Sequence, residues 1–348
     1  MKVALQASPW NRRDLYEEAG FDITEGACAT EDEFIDLLRD VDGANIGVLP
    51  LTTRRVLESC ERLKVVSRLG VGVDSIDLDA ATELGVLVCN VPGVNSCEVA
   101  DHAMAMLLSH TRRLHDAIGF IRNGEWGERS TAVPLLESVR RIAGHTVGII
   151  GYGDIGKAFA QRVSGFGPAK ILAYDPYVAQ LTADNQGVEM VDLDRLLTES
   201  DFVSIHCTAT AETRHLIDER ALGLMKPTAI LVNTARGPVV DGAALADALE
   251  SGRIEAAALD VTEVEPIDVD DRLVKLPNCI LSPHIAGYSP TFLEQCSIRQ
   301  AESVIRVLTG EAPHGLANPE VIKTIAVQRS QGVGRWEGVP DFSTALRL

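Results

Sequence analysis

The sequence lacks any long hydrophobic run. No segment approaches the roughly 18 consecutive apolar residues that a membrane-spanning helix needs. The first residues, MKVALQASPWNRRD, lack the apolar core of a secretory signal. We therefore expect a cytoplasmic protein that does not enter a membrane.

The cysteines lack a pattern that would give them a common role. Seven cysteines are scattered along the chain, an odd number without the paired spacing of a metal site. We expect them to be reduced thiols packed among apolar neighbours. No bound metal is expected.

Basic residues are outnumbered. The chain has 32 Lys and Arg against 50 Asp and Glu, which gives a formal net charge of −18. A protein of this charge is a poor partner for nucleic acid or for an anionic membrane surface. The remaining composition, 46% hydrophobic and 24% charged residues over 348 positions, is ordinary for a globular protein of about two domains.

Strand and helix patterns alternate along the chain, which predicts an α/β fold with doubly wound parallel sheets. The predicted strands are 3–5, 46–49, 63–67, 86–89, 146–150, 171–174, 202–206, 229–233, 256–260 and 279–281. The main predicted helices are 31–40, 52–60, 157–166, 290–308 and a long helix that begins at Asn95 or Ser96. The inner stripe of that long helix is predicted to contain Val99, Ala103, Met106, Leu107 and His110.

The most informative segment is Gly151-Tyr-Gly153-Asp-Ile-Gly156, which follows one predicted strand and leads into a predicted helix. Gly151 permits a tight turn, Gly153 lets a pyrophosphate approach the backbone, and Gly156 lets the helix pack closely on the strand. Phosphates bind at the N-terminus of such a helix. The pattern predicts a dinucleotide site, and the alternative is an ordinary glycine-rich turn.

Asp175 ends the next predicted strand, about twenty residues beyond the fingerprint glycines. A carboxylate at this position accepts hydrogen bonds from the ribose hydroxyls of adenosine and repels a 2′-phosphate. The sequence therefore favours NAD over NADP as the cofactor. The alternative is an ordinary aspartate at the end of a strand.

Arg236, Glu265 and His284 follow in order and supply groups suited to hydride-transfer chemistry. Reduction of a 2-oxo acid needs a proton, and histidine titrates near neutral pH, so His284 is the predicted acid and base. Glu265 would fix its tautomer and favour the protonated ring. Arg236 would hold the substrate carboxylate with its planar fork. Taken singly, each residue has a structural alternative, as a strand-end cap or a solvated loop residue.

These residues carry a family resemblance over nearly the whole chain. The sequence resembles the D-isomer-specific 2-hydroxyacid dehydrogenases through SRLGVGVDSID (67–77), the glycine fingerprint, YDPY (174–177), NTARG (233–237), DVTEVEP (260–266) and SPHIAG (282–287). Two further segments, VCNVPGVNSCEVADHA (88–103) and HIAGYS (284–289), are similar to one branch of that family. This branch holds the C-terminal binding proteins and the glyoxylate or hydroxypyruvate reductases.

The resemblance implies two Rossmann-like domains with the active site in the cleft between them. Residues 1–98 and 286–326 would form a discontinuous, flavodoxin-like substrate-binding domain, and 99–285 the NAD-binding domain. Residues 327–348 lack clear periodicity and are expected to form a C-terminal tail. Family members typically dimerise through the segment around 114–141, so a homodimer is expected.

The resemblance also assigns contacts. The substrate carboxylate would be held by Arg236 and the backbone of Val71 and Gly72, next to His284. The predicted cofactor-binding residues are Gly151, Gly153, Asp154, Ile155, Gly156, Asp175, Cys207, Thr213, Thr234, Ala235, Arg236, Asp260, His284 and Gly287. Of these, Asp260 would contact the nicotinamide carboxamide. We expect His102, His110 and His206 to be structural.

The implied activity is NAD-dependent interconversion of a small 2-oxo acid and its D-2-hydroxy acid. Segment 48–53, VLPLTT, is largely apolar, which favours an uncharged side chain as in glyoxylate or hydroxypyruvate. A phosphorylated substrate such as 3-phosphoglycerate stays open, because four arginines are candidate anion contacts: Arg54, Arg55, Arg112 and Arg113. The alternative function is an NAD(H)-sensing, peptide-binding protein of the C-terminal binding protein type.

Overall fold

The computed structural model describes residues 1–127, 129–332 and 334–341. The chain forms two compact units, the first comprising Met1–Val94 with the chain from Ser289 onward, and the second Asn95–Tyr288. These limits lie a few residues from the predicted domain limits. The first shift arises because the long helix that begins at Ser96 belongs wholly to the second unit.

Strands and helices alternate along most of the chain, which confirms the α/β class. The strands are β1 (Lys2–Gln6), β2 (Asp22–Gly26), β3 (Gly43–Ile46), β4 (Val65–Arg68), β5 (Leu87–Cys89), β6 (Thr146–Ile150), β7 (Lys170–Tyr174), β8 (Val188–Met190), β9 (Phe202–Ile205), β10 (Ile230–Asn233), β11 (Ala256–Leu259) and β12 (Cys279–Leu281). The α-helices are α1 (Arg13–Glu18), α2 (Glu31–Leu38), α3 (Arg54–Ser59), α4 (Leu78–Leu84), α5 (Ser96–Thr111), α6 (Leu114–Arg122), α7 (Arg129–Ser138), α8 (Asp154–Ser164), α9 (Gln180–Ala183), α10 (Leu193–Glu199), α11 (Glu219–Leu224), α12 (Gly242–Glu250), α13 (Arg272–Lys275), α14 (Pro290–Thr309) and α15 (Val321–Ser330). No helix in the described part of the chain has the length and apolar character to cross a bilayer.

The first unit is built on a five-stranded parallel sheet in the order β2-β1-β3-β4-β5, which is the flavodoxin-like order. Adjacent residues Val65 and Val66 of β4 are fully buried in the cores on opposite faces of the sheet. Strand β2 was not predicted. Its residues, DITEG, lie at the sheet edge and none is fully buried, so no apolar run marks it.

The second unit contains a seven-stranded parallel sheet in the order β12-β11-β10-β9-β6-β7-β8. The chain enters this sheet at β6, runs outward through β7 and β8, and returns to β9 on the other side of β6. This reversal defines the doubly wound Rossmann fold, and ligands bind in the crevice at the carboxyl ends of the strands beside it. The unpredicted strand is β8, an edge strand of 3 residues.

Helix α5 packs as its sequence predicts. The stripe residues are each at most 5% exposed: Val99, Ala103, Met106, Leu107 and His110. His110 Nε2 donates a hydrogen bond to the carbonyl oxygen of Ala257 over 2.7 Å. Burial lowers the pKa of His110, so this histidine is a neutral member of the core.

The C-terminal segment packs into the first unit rather than forming a tail. Trp336 and Val339, which follow α15, are 2% and 4% exposed in its core. The indole N–H of Trp336 donates to the carbonyl oxygen of Gly85 over 2.8 Å. The predicted tail at 327–348 is therefore wrong for its described part. The packing depends on two apolar side chains in a segment without regular spacing of apolar residues. A search for periodicity therefore does not detect it. Residues 333 and 342–348 of that prediction lie outside the described residues.

Trp336→Ala is expected to lower the free energy of unfolding by about 3–5 kcal/mol, because it leaves a large cavity in a packed core. Trp336→Phe keeps most of the ring volume and should lose far less. Urea denaturation followed by circular dichroism measures both losses. Trp10→Ala, at a half-exposed tryptophan of the same unit, is the matched control. An unchanged urea midpoint for Trp336→Ala would contradict the packing role.

Candidate active site

The glycine-rich turn 151–156 joins β6 to α8 at the centre of the second unit's sheet. Gly151 has a φ of +89°, and a Cβ there would lie 2.4 Å from the amide nitrogen of Cys207. A Cβ on Gly156 would lie 2.2 Å from the carbonyl oxygen of Gly151. Neither position admits a side chain. A Cβ on Gly153 would instead project into open space, so glycine there keeps clear the space in front of the helix.

Helix α8 begins at Asp154, and its N-cap, Gly153, offers no side chain to accept a hydrogen bond. The first N–H groups of the helix, including that of Ile155, are therefore left without a side-chain cap. These donors and the positive end of the helix dipole suit an anionic pyrophosphate.

Asp175 is fixed beside this turn. Its Oδ2 accepts the N–H of Tyr152 over 2.9 Å, and its Oδ1 accepts the N–H of Tyr177 over 3.0 Å. Burial raises the pKa of the neighbouring Cys207 thiol to about 11, and the charge of Asp175 adds to this effect. The Cys207 thiol is therefore protonated at physiological pH.

The loop after β9 is held from within. Thr213 Oγ1 donates to the carbonyl oxygen of Thr208 over 2.6 Å and accepts the N–H of Thr210 over 2.7 Å. His206 Nε2 lies 2.9 Å from Ser204 Oγ, and burial lowers the pKa of His206 to about 3. The ring is therefore neutral at physiological pH, which fits a structural role.

Arg236 follows β10 on a loop that Asn233 braces. Asn233 is fully buried, its Oδ1 accepts the N–H of Ala235 over 3.0 Å, and its Nδ2 donates to the carbonyl oxygen of Arg236 over 3.0 Å. A Cβ on Gly237 would lie 1.9 Å from the carbonyl oxygen of Thr262. The backbone on both sides of Arg236 is thus fixed by close contacts.

His284 and Glu265 form a half-exposed, hydrogen-bonded pair. His284 Nδ1 lies 2.6 Å from Glu265 Oε2, and the two side chains are 47% and 38% exposed. Burial opposes the ionisation of Glu265. The hydrogen bond and charge of His284, the N–H of Thr262 and the charge of Arg236 outweigh it, so the pKa of Glu265 is lowered. An ionised Glu265 only accepts, so Nδ1 carries the shared proton and Nε2 is left for other chemistry.

The backbone of His284 is held by Asp260. His284 has a φ of +53°, in the left-handed region that residues other than glycine rarely adopt. Its N–H donates to the carbonyl oxygen of Asp260 over 2.9 Å. The buried Asp260 carboxylate accepts the N–H groups of Ile285 over 2.9 Å and Ala286 over 2.8 Å. The contact of Asp260 with a carboxamide stays a prediction, and its observed role is to fix this loop.

Two further side chains belong to the same network: Ser282, which was not predicted, and His102, whose contact fits its predicted structural role. Ser282 Oγ donates to Asp260 Oδ1 over 2.5 Å, and His102 Nε2 lies 3.0 Å from Ser282 Oγ. Ser282 lies two residues before His284 in the motif SPHIAG, and this position in the motif could have indicated its role. His102 lies on α5, and nothing in its local sequence points to this loop.

The structure brings the three predicted catalytic residues into one electrostatic cluster of the second unit. His284 binds Glu265 directly, and the charge of Arg236 acts on the same carboxylate. Gly287 closes the loop that carries His284, and a Cβ there would lie 2.6 Å from Asn95 Nδ2. A side chain at 287 would therefore displace the amide end of Asn95.

Val71 and Gly72 belong to the first unit. They follow Gly70, whose φ is +117°, and Asn90 Nδ2 donates to the carbonyl oxygen of Val71 over 2.7 Å. Within the described ranges no acceptor pairs with the N–H groups of Val71 and Gly72. These donors are thus available to an anion.

Comparison with known proteins identifies the family. The D-isomer specific 2-hydroxyacid dehydrogenase NAD-binding domain matches residues 104–286. The glyoxylate reductase of Thermococcus litoralis is 40% identical over 289 residues, 83% of this chain and 87% of that protein. The D-3-phosphoglycerate dehydrogenase of Mycobacterium tuberculosis is 38% identical over 309 residues, 87% of this chain but 57% of that protein.

A solved structure agrees with the sequence relatives. The D-lactate dehydrogenase from Aquifex aeolicus, complexed with NAD and lactic acid, matches with a TM-score of 0.77 at 30% identity, covering 92% of this chain and 98% of that one. The matched family domain is an NAD-binding domain, the solved structure holds NAD, and the relatives named here are reductases and dehydrogenases of 2-oxo or 2-hydroxy acids. The chain therefore belongs to the D-isomer specific 2-hydroxyacid dehydrogenases and is an NAD-dependent oxidoreductase that acts on the CH–OH group of a 2-hydroxy acid.

Proposed function

We propose that this dehydrogenase reduces a small, unphosphorylated 2-oxo acid of the glyoxylate or hydroxypyruvate type, with Arg236, Glu265 and His284 as its catalytic residues. The observation that carries the proposal is the 2.6 Å bond between His284 and an ionised Glu265, on which the charge of Arg236 also acts. The 40% identity to a protein named glyoxylate reductase supports the substrate class.

His284 moves the proton. When the carbonyl group is reduced, negative charge develops on its oxygen, and the Nε2–H of protonated His284 donates to that oxygen. Glu265 stabilises the protonated ring through Nδ1 and fixes its orientation. In the oxidative direction, neutral Nε2 accepts the proton of the hydroxyl group.

Arg236 binds the substrate carboxylate. Its guanidinium presents two parallel N–H donors to the two carboxylate oxygens, and its charge polarises the neighbouring carbonyl group. The braced backbone on both sides of Arg236 supports this role, because it limits where the fork can lie. The N–H groups of Val71 and Gly72 are proposed to donate to the same carboxylate.

The second unit fits NAD, which supplies or accepts the hydride when it is bound. The uncapped start of α8 and the open space at Gly153 suit the pyrophosphate. The buried hydroxyl of Thr234 has no hydrogen-bond partner among the described residues, so it is available to a ligand group. The residues proposed to hold NAD are Gly151, Gly153, Asp154, Ile155, Gly156, Asp175, Cys207, Thr213, Thr234, Ala235, Arg236, Asp260, His284 and Gly287.

The arginines that were candidate contacts for a phosphorylated substrate are engaged with protein groups. Arg54 Nη2 lies 2.8 Å from Glu83 Oε2, and Arg55 Nη1 lies 2.7 Å from Glu31 Oε2. The other two each donate one hydrogen bond to a protein group: Arg112 to the carbonyl oxygen of Arg140 over 3.1 Å and Arg113 to Ser138 Oγ over 3.1 Å. Val48, Leu49 and Leu51 of the loop 48–53 are exposed apolar side chains. Both observations favour a substrate without a phosphate.

The substrate proposal is tested by following the loss of NADH absorbance against a panel of 2-oxo acids. The panel contains glyoxylate, hydroxypyruvate, pyruvate, 2-oxobutyrate, branched and aromatic oxo acids, and 3-phosphohydroxypyruvate. We expect glyoxylate or hydroxypyruvate to give the highest kcat/KM, of order 10⁴ M⁻¹s⁻¹ or more. A clear preference for 3-phosphohydroxypyruvate would overturn the substrate class. Feeble rates throughout, with tight NADH binding, would favour the NAD(H)-sensing alternative.

Glu265→Gln is expected to shift the pH dependence of reduction. Glu265 is ionised because its pKa is lowered, so its charge favours the protonated ring of His284. An uncharged amide removes this support, so the alkaline limb of kcat/KM for the 2-oxo acid should move to lower pH by about one unit. Glu263→Gln is the matched control, since Glu263 Oε1 lies 2.6 Å from His215 Nε2 in an equivalent pair. A pH profile that moves equally in both variants would contradict the role of Glu265.

We also propose that the enzyme is a homodimer. Helix α6 has no buried residue, and it exposes Leu114, Ile118 and Ile121 with the spacing of one helix face. Such a face favours association with a second copy of the chain. Light scattering should show a dimer for the wild type and a monomer for Ile118→Glu/Ile121→Glu. Leu181→Glu, at an exposed leucine of α9, should stay dimeric.

The cytoplasm is the proposed compartment. All seven cysteines are free, and Cys60 and Cys89 are buried, where disulfide exchange cannot reach them. A chain with this many unpaired thiols suits a reducing environment.

A further inference from the structure

Tyr177 joins two carboxylates at the edge of the second unit's crevice. Its backbone N–H donates to Asp175 Oδ1 over 3.0 Å, and its phenol O–H donates to Glu212 Oε2 over 2.7 Å. The two acids therefore lie at opposite ends of one tyrosine residue. The proposed function uses Asp175 and leaves Glu212 without a role.

The bond between Tyr177 and Glu212 crosses the switch point of the sheet. Tyr177 follows β7, Glu212 lies in the loop after β9, and β6 separates these strands in the sheet. Neighbouring strands are about 4.8 Å apart, so the bond links loops that begin two strand spacings from each other. Between them, β6 ends in the turn 151–156, where a dinucleotide binds in such a sheet.

Negative charge is concentrated at this end of the crevice. The hydrogen bond to Glu212 is the largest cause of the raised pKa of Tyr177, and the charges of Glu212 and Asp175 both add to it. The charge of Asp175 also reaches the Cys207 thiol at the start of the loop after β9. The charges of Asp175 and Glu212 thus both act on the region around Tyr177.

We infer that Glu212 is a second specificity-determining carboxylate, which Tyr177 holds in place and which disfavours the 2′-phosphate of NADP together with Asp175. The inference rests on the proposed placement of NAD, in which Asp175 binds the adenosine ribose. A 2′-phosphate brings close to two negative charges, and carboxylates beside it repel it. NAD has an uncharged hydroxyl at that position, so Glu212 leaves its affinity nearly unchanged.

Direct binding of NADH and NADPH tests the inference without any turnover. Fluorescence titration of the full chain gives both dissociation constants for the wild type, Glu212→Gln and Asp175→Asn. Glu212→Gln should tighten NADPH binding by about fivefold, the scale of one exposed charge beside a dianion. Its NADH affinity should stay within about twofold of the wild type, because the ribose hydroxyl is uncharged. Asp175→Asn should reduce the preference for NADH over NADPH by a larger factor than Glu212→Gln does.

A matched control removes the same charge elsewhere. Asp270 is exposed and pairs with Lys275 over 2.8 Å in the segment before β12, at the opposite edge of the sheet. Asp270→Asn should leave the NADH to NADPH ratio unchanged. Added salt screens the charge of Glu212, so it should reduce the wild-type preference for NADH over NADPH. The preference of Glu212→Gln should change less, because that variant lacks the charge.

The outcomes separate the inference from the proposed function. A ratio that shifts in Asp175→Asn but not in Glu212→Gln overturns the role of Glu212 and leaves the placement of NAD intact. A ratio that shifts in neither variant overturns the placement of the adenosine ribose at Asp175. If Asp270→Asn shifts the NADH to NADPH ratio by the same amount, the effect arises from the net charge of the protein. That result would also overturn the role of Glu212.

Discussion

His284→Ala is expected to lower kcat for 2-oxo acid reduction by about a thousandfold, the usual contribution of a positioned general acid. Alanine leaves no group to protonate the developing alkoxide, so water must serve as the acid. The glycine turn and Asp175 belong to other strand ends, and alanine does not alter their contacts. His284 is one of many residues proposed to hold NAD, so NADH binding should weaken far less than kcat falls, and the main loss should appear in kcat.

The chain offers a close control for this substitution. His314 in the first unit forms a similar pair, with its Nε2 2.7 Å from Glu302 Oε2 and the two side chains 34% and 42% exposed. His314→Ala should keep kcat near the wild-type value. Steady-state kinetics with the best oxo acid, beside fluorescence titration of NADH, give both quantities. Near-normal turnover by His284→Ala would refute the proposed proton transfer.

The central part of the fold was predictable because its signals are local. Buried apolar strands run into the fingerprint, and the glycines there are demanded by backbone contacts, as at Gly151 and Gly156. Strands β2 and β8 were not predicted because both lie at sheet edges, where a polar or short segment is enough to form a strand. Local periodicity carries no information about such edges.

The contacts that were not predicted join residues far apart in sequence. His102 and Ser282 meet across 180 positions, and Trp336 reaches Gly85 across 251. The pairing of Arg54 with Glu83 likewise decides whether that arginine is available to a substrate anion. Only the tertiary structure supplies these partners. The proposed catalytic residues were visible because each ends or follows a strand within a recognisable motif.

Arg236→Lys is expected to lower kcat/KM for the 2-oxo acid by about two to three orders of magnitude, although the positive charge is kept. Lysine presents a point charge on a flexible stem, so it cannot form two parallel bonds to a carboxylate. The same contact orients the carbonyl group toward His284, and lost orientation lowers the rate beyond the loss of binding. Arg236 is only one of the residues proposed to hold NAD, so NADH affinity should fall far less than kcat/KM.

A substrate without the carboxylate isolates the contact. Hydroxyacetone has a methyl group where hydroxypyruvate has its carboxylate, so the wild-type enzyme should prefer hydroxypyruvate strongly. Arg236→Lys should reduce this preference by nearly the same factor by which it reduces kcat/KM for hydroxypyruvate, because both losses report one interaction. Arg272→Lys, at an arginine paired with Glu250 and Asp247 in the same unit, should leave both rates unchanged. If Arg236→Lys slows both substrates equally, Arg236 does not bind the carboxylate and acts on the carbonyl group alone.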